Sequence, residues 1–120
     1  MTRQEQTGLR DLTFSQWMRD NLPDSYFEFY ITDVDFVLFN PNTKKVMLLE
    51  VKTRNAEVKS WQRNIFFHLA KWISRGINDG WTFMGFRFVR FENNFFNDGK
   101  CYLDNKEINE KELKHFLSII

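Results

Sequence analysis

The chain is poor in the residues that several common chemistries require. One cysteine, Cys101, in 120 residues excludes an intramolecular disulfide and a Cys-rich zinc site, and we read it as inert. The two histidines, His68 and His115, have no carboxylate or second histidine at ligand spacing and read as structural or solvated. Low-complexity and disorder signatures are absent, and so is any internal repeat. No apolar run is long enough to span a bilayer, and MTRQEQTGLRDL at the N-terminus lacks the apolar centre of a signal peptide. Together these absences lead us to expect a soluble, cytoplasmic (intracellular) protein in a reducing compartment, with no membrane partner. The length suits one domain over residues 1–120 with one core, and residues 1–11 read as a polar, poorly ordered segment.

What the chain has is aromatic content and an uneven distribution of charge. There are 14 Phe and 4 Trp. The net charge of +1 is uninformative, but residues 44–90 carry ten Lys/Arg against three acids, whereas the flanking segments 1–43 and 91–120 come to −4 and −2. A basic middle suits a polyanionic partner on one face; the plain alternative is a lysine-rich solvated surface.

Pattern and turn chemistry predict a mixed α/β domain with one sheet and helices packed on it. Thr13 is a candidate cap for a short helix that Pro23 ends, with Gln16 three residues on and Leu12 and Trp17 as the hydrophobic staple. Residues 25–32 (SYFEFYIT) read as a strand on aromatic and β-branched content. Residues 34–39 (VDFVLF) and 45–52 (KVMLLEVK) read as two strands about the turn 40–43. Both are apolar on both faces, so both are expected to be central and buried. A polar link over 53–60 leads into a helix over 61–75. Ser60 is its expected cap, Gly76 its left-handed terminus, and Trp61, Ile65, Leu69 and Trp72 its apolar stripe. Residues 81–91 read as a long strand, with turns at Asp98-Gly99 and Asp104-Asn105 after it. The last helix has the sharpest signature: Asn109 caps, Glu112 closes the capping box, and Leu113, Phe116, Leu117 and Ile120 face the core.

The two strands at 34–39 and 45–52 carry charges where apolar residues would be expected. Residues two apart on a strand share a face, so Glu50 and Lys52 point the same way, and Asp35 can join them at one end of the sheet. Asp33 at the margin is either a ligand or a turn group. Neighbouring carboxylates repel, and they coexist best around a hard cation such as Mg²⁺, for which the Val51 carbonyl would add a third protein oxygen. A lysine beside such an ion can orient a water or neutralise a phosphate. That set of groups suits phosphodiester hydrolysis without His, Cys or Ser.

The run Asp35-Phe36-Val37-Leu38-Phe39, followed by Val46-Met47-Leu48-Leu49-Glu50-Val51-Lys52, resembles the PD-(D/E)XK nuclease superfamily. In that superfamily an acid starts one strand of a hairpin and (D/E)-x-K ends the next. The resemblance covers residues 25–75 and departs at Val34, where the motif has proline. It implies a restriction-endonuclease-like core, a mixed sheet flanked by helices. It also implies a metal-dependent endonuclease acting on DNA, with Asp35 and Glu50 holding Mg²⁺ (or Mn²⁺) and Lys52 as the catalytic lysine. Gln62 is similar to a glutamine that exonuclease-like and resolvase-like members carry on the following helix, in a first turn whose free N–H groups favour anions. Some members add a glutamate from the first helix; here that helix has Gln16 and Asp20, and Glu28 is the candidate to compensate.

Around this site Arg54, Lys59 and Arg63 are candidate nucleic-acid contacts. With Lys71 and Arg75 the helix cations form either a phosphate track or a solvated face. Phe95 and Phe96 read as a loop cluster, the alternatives being a dimer contact or a base-stacking wedge. A chain of this size suggests a homodimer or a subunit of a larger complex. The alternative function is a non-catalytic nucleic-acid-binding module; a third reading is an ordinary α/β domain in which Glu50-Val51-Lys52 falls by chance.

Overall fold

The computed structural model describes residues 12–120, an α/β fold whose described residues form three α-helices and five strands in one mixed sheet. The expectation of a poorly ordered 1–11 lies outside the described residues. The chain divides into two compact units at Thr32/Asp33.

In the first unit, helix α1 (Thr13–Asn21) begins after Leu12 at the N-cap and ends before Leu22 and Pro23. Thr13 is thus the first helical residue rather than the cap. Residues 25–32 are not a strand. Ser25–Phe27 forms a single 3-10 turn, capped by the Asp24 carboxylate on the Tyr26 amide at 3.0 Å and ended by Glu28 at φ 58°. Aromatic and β-branched content describes a residue's fitness for a pleated surface, and it makes a strand only where a partner strand pairs with it.

The second unit holds the sheet. β1 (Phe36–Asn40) and β2 (Lys45–Lys52) form an antiparallel hairpin, with Phe36 opposite Leu49 and Asn40 opposite Lys45. The turn between them is set by Asn40, whose side-chain oxygen accepts from the Asn42 amide at 2.9 Å, and by Lys44 at φ 57°. From β2 the chain crosses over through α2 (Ser60–Gly76) to β3 (Thr82–Phe91), which runs parallel to β2. β4 (Cys101–Leu103) and β5 (Lys106–Ile108) complete the order β1-β2-β3-β4-β5, both antiparallel to their neighbours. α3 (Glu110–Leu117) ends the fold.

This order corrects the expectation that both hairpin strands are central. β2 is, with Met47, Leu49 and Glu50 buried, but β1 is the sheet's edge. Phe36, Val37 and Phe39 are each more than half exposed. An apolar strand shows which residues tolerate burial but not how many strands will flank it.

One face of the sheet is closed by α3. Leu49, Val89, Phe91, Cys101 and Leu113 form its core, with Leu117 and Ile108 packed against it. The capping box is made as expected: the Asn109 side chain accepts from the Glu112 amide at 2.7 Å and the Asn109 amide donates to the Glu112 carboxylate at 3.1 Å. The other face is closed by α2 through fully buried Phe66, which stacks on Phe86 at 4.3 Å and lies 6.2 Å from Phe88. The buried line of α2 runs through Gln62 and Phe66, while Trp72 is 55% exposed, so the stripe expected at Trp61, Ile65, Leu69 and Trp72 is rotated. Lys59, not Ser60, occupies the N-cap, and Gly76 is the last helical residue, without a left-handed φ. The left-handed positions near this end are Asp79 and Gly80 in the turn before β3.

Candidate active site

Register places the charged residues together. Phe36 pairs with Leu49, so the next position out sets Asp35 against Glu50; Glu50 pairs with Phe88 and Lys52 with Arg90. Alternation then puts Asp35, Glu50, Lys52, Phe88 and Arg90 on the face that α2 covers. Asp35 sits at a bend immediately before β1. One of its carboxylate oxygens accepts from the Val51 amide at 2.8 Å. A residue's N–H and C=O point to the same side of its strand, so the Val51 carbonyl is directed to the Asp35 side as well.

Glu50 is 3% exposed. The Lys52 ammonium lies 3.5 Å from one of its oxygens, and the other, Oε2, is buried with no hydrogen-bond partner among the described residues. Burial, followed by the nearby charge of Asp35, pushes the Glu50 carboxyl up to about 7, against the opposing pull of Lys52. An orphaned, buried carboxylate oxygen costs free energy unless something completes it. Among the described residues, no three His, Cys, Asp or Glu side chains gather as a metal site. The oxygen set available to a cation is therefore Asp35, Glu50 and the Val51 carbonyl. That suits an octahedral Mg²⁺ that keeps several waters better than a fully enclosed ion.

Next to this group opens a cleft of about 490 Å³ whose polar lining is Lys52, Arg63 and Arg90 together with Glu57, Asp104 and Asn105. Arg90 is held over the Tyr102 ring at 4.2 Å and hydrogen-bonds the Asn55 side chain. Asp104 is already engaged, by Arg87 at 3.1 Å and the Phe88 amide at 3.0 Å. Lys52 thus faces carboxylates on one side and an open, cationic cleft on the other.

Of the residues singled out in the sequence, Asp35, Glu50, Val51 and Lys52 come together, and Arg63 joins them across the cleft. Gln62 is buried in the first turn of α2, on the side facing the sheet. Lys59 is exposed at the N-cap of α2. Arg54, at φ 56°, turns toward Asn94, its Nε donating to the Asn94 side chain at 3.4 Å. Gln16, which donates to Asp20 at 2.9 Å, and Glu28 belong to the first unit. Sequence reasoning missed Arg90. Its signal was one of two cations, with Arg87, in the largely apolar run 81–91, and the parallel register that sets it beside Lys52 is not written locally. Cys101 is 2% exposed, and burial pushes its thiol up, which fits an inert residue. Phe95 and Phe96 form the expected loop cluster, 4.9 Å apart and both against Phe91.

A protein of Archaeoglobus fulgidus, itself described as uncharacterized, is 32% identical over 74 residues, covering 61% of this chain and 51% of that protein. The chain thus spans about half the length of the curated relative it matches. No family model matches the chain. No solved structure matches it. Among the described residues, no helix is long and apolar enough to cross a membrane.

Proposed function

We propose that this chain is a Mg²⁺-dependent endonuclease of the PD-(D/E)XK type that hydrolyses phosphodiester bonds in DNA. The observation that carries this reading is the Glu50 carboxylate, buried at 3% exposure with one oxygen unpartnered, facing Asp35 and 3.5 Å from Lys52. A structural ion pair does not need a second acid against it, and a solvated edge pair is not buried. Asp35, Glu50 and the Val51 carbonyl would hold the ion, which when bound supplies Lewis-acid polarisation of the phosphate. Lys52 supports the reading in a second way, because its ammonium lines the cleft where the phosphate would enter. There it balances charge on the non-bridging oxygens and orients the attacking water. Arg63 and Arg90 supply two further cations for the flanking phosphates.

One observation favours the non-catalytic binding module instead. Among the described residues no third carboxylate joins Asp35 and Glu50, and Asp35 already accepts the Val51 amide. Cleavage separates the two readings. Wild-type protein with Mg²⁺ or Mn²⁺ is expected to cut at least one of linear duplex, single strand, supercoiled plasmid and four-way junction. Lys52→Ala should lower the rate by roughly 100-fold or more. Well-folded protein that cuts none of these and binds no metal would overturn the nuclease in favour of the binding module.

A further inference from the structure

The outward face of α2 is built unlike an ordinary solvated helix. Its 17 residues, Ser60–Gly76, contain no acid. At 3.6 residues per turn, Phe67, Lys71 and Arg75 fall within about 60° of the line opposite the buried Gln62–Phe66 side, and Arg63, one step back on the same i, i+4 ridge, stands on the flank of the helix. Each of the four is exposed, and Phe67 is 65% so. The intervening positions on this side are Asn64, His68 and Ser74, with exposed Trp72 at the margin, and none is acidic. Among the described residues, none of Arg63, Lys71 and Arg75 is in an ion pair. Solvated faces ordinarily mix both signs, which limits self-repulsion. This one accumulates positive charge and places an aromatic ring between the cations. The Phe67 ring meets that of His68 edge-on, the centroids 6.1 Å apart.

Arg63 belongs to two surfaces at once. It stands on the flank from which this face begins and also lines the cleft that Lys52 enters. From Arg63 to Arg75 the helix runs about 18 Å, at 1.5 Å per residue. The cations therefore continue from the cleft along one i, i+4 ridge that winds from the flank onto the outer face. Cations that follow a backbone, with an aromatic face between them on which a base can stack, are the recognition chemistry of single-stranded nucleic acid. A closed duplex offers phosphates to the cations but no exposed base face to Phe67.

We propose that the outer face of α2 is a single-strand track, on which Phe67 stacks an unpaired base while Lys71 and Arg75 hold the phosphates of a strand that enters the cleft at Arg63. It rests on the nuclease reading only for what happens in the cleft. The substrate class it names is DNA with unpaired nucleotides next to the cut.

The test is fluorescence anisotropy of a dye-labelled single-stranded oligonucleotide, and of the same sequence as duplex, with full-length protein in EDTA. Without divalent metal, binding is read apart from cleavage. The single strand is expected to bind at least tenfold tighter than the duplex. Phe67→Ala should weaken the single strand by roughly tenfold and leave the duplex within a factor of two, and Phe67→Trp should restore it. Lys71→Ala and Arg75→Ala should weaken both ligands and each flatten the salt dependence. All four variants alter exposed side chains, and unchanged thermal unfolding would confirm that each is folded. Equal affinity for the two ligands, or a folded Phe67→Ala that binds the single strand like wild type, would overturn the track. Cleavage that fails while single-strand binding depends on Phe67 would overturn the nuclease and leave the track standing.

Discussion

At 3% exposure, with one oxygen unpartnered and a second carboxylate beside it, Glu50 is poorly compensated by Lys52 alone. Its carboxyl is raised from 4.5 to about 7. Between those two values the folded, metal-free protein binds more protons than the unfolded chain, so stability falls as pH rises through that window. The loss is complete above about 7 and absent below about 4.5. Glu50→Gln removes the titration. Urea unfolding in EDTA should therefore show the variant gaining on wild type between pH 4.5 and 8, by as much as about 3 kcal/mol. A wild type-to-variant difference that stays flat with pH would mean that Glu50 is not strained in this way. The pairing of Asp35, Glu50 and Lys52 was legible in the sequence because strand parity is local and the hairpin turn fixes its register. Arg90 was not, because it stands 38 residues after Lys52 and its place depends on how β3 docks in parallel.

Elements were legible where the signal is carried by neighbouring residues and obscure where it depends on a distant partner. The bounds of β2 at Lys45–Lys52 and the Asn109–Glu112 capping box follow from such local chemistry. Asn109→Ala should lower the unfolding free energy by about 1 kcal/mol. The face of α2 was misjudged, because both of its tryptophans fell on a helical period that competes with the one through Phe66. The two assignments differ in outcome. Phe66→Ala should cost about 3–5 kcal/mol, since it empties a fully buried position between Phe86 and Phe88. Trp72→Ala, at a position 55% exposed, should cost far less. Denaturant titration of the two variants decides it, and the reverse order would restore the tryptophan stripe. The 25–32 segment and the edge position of β1 were illegible for a related reason: pairing belongs to the sheet, and propensity alone does not report it.

Across the whole molecule, the proposed Mg²⁺ site would link metal binding to protonation and stability through Glu50. The proposal that Asp35 and Glu50 hold Mg²⁺ therefore has a readout that needs no nucleic acid. An ion that binds the folded state alone stabilises it, by about 2.7 kcal/mol when its concentration is 100 times its dissociation constant. Mg²⁺ should accordingly raise the melting temperature of wild type at pH 8, where Glu50 is ionised. At pH 6 the ion must displace a proton from a carboxyl that titrates near 7, so its apparent affinity should be roughly tenfold weaker. Asp35→Asn and Glu50→Gln should each abolish the shift, whereas changes on the outer face of α2 should leave it intact. A Mg²⁺-induced shift equal at both pH values, or one that survives both carboxylate substitutions, would place the ion elsewhere on the protein. The relief of strain at Glu50 would then have to come from its proton alone.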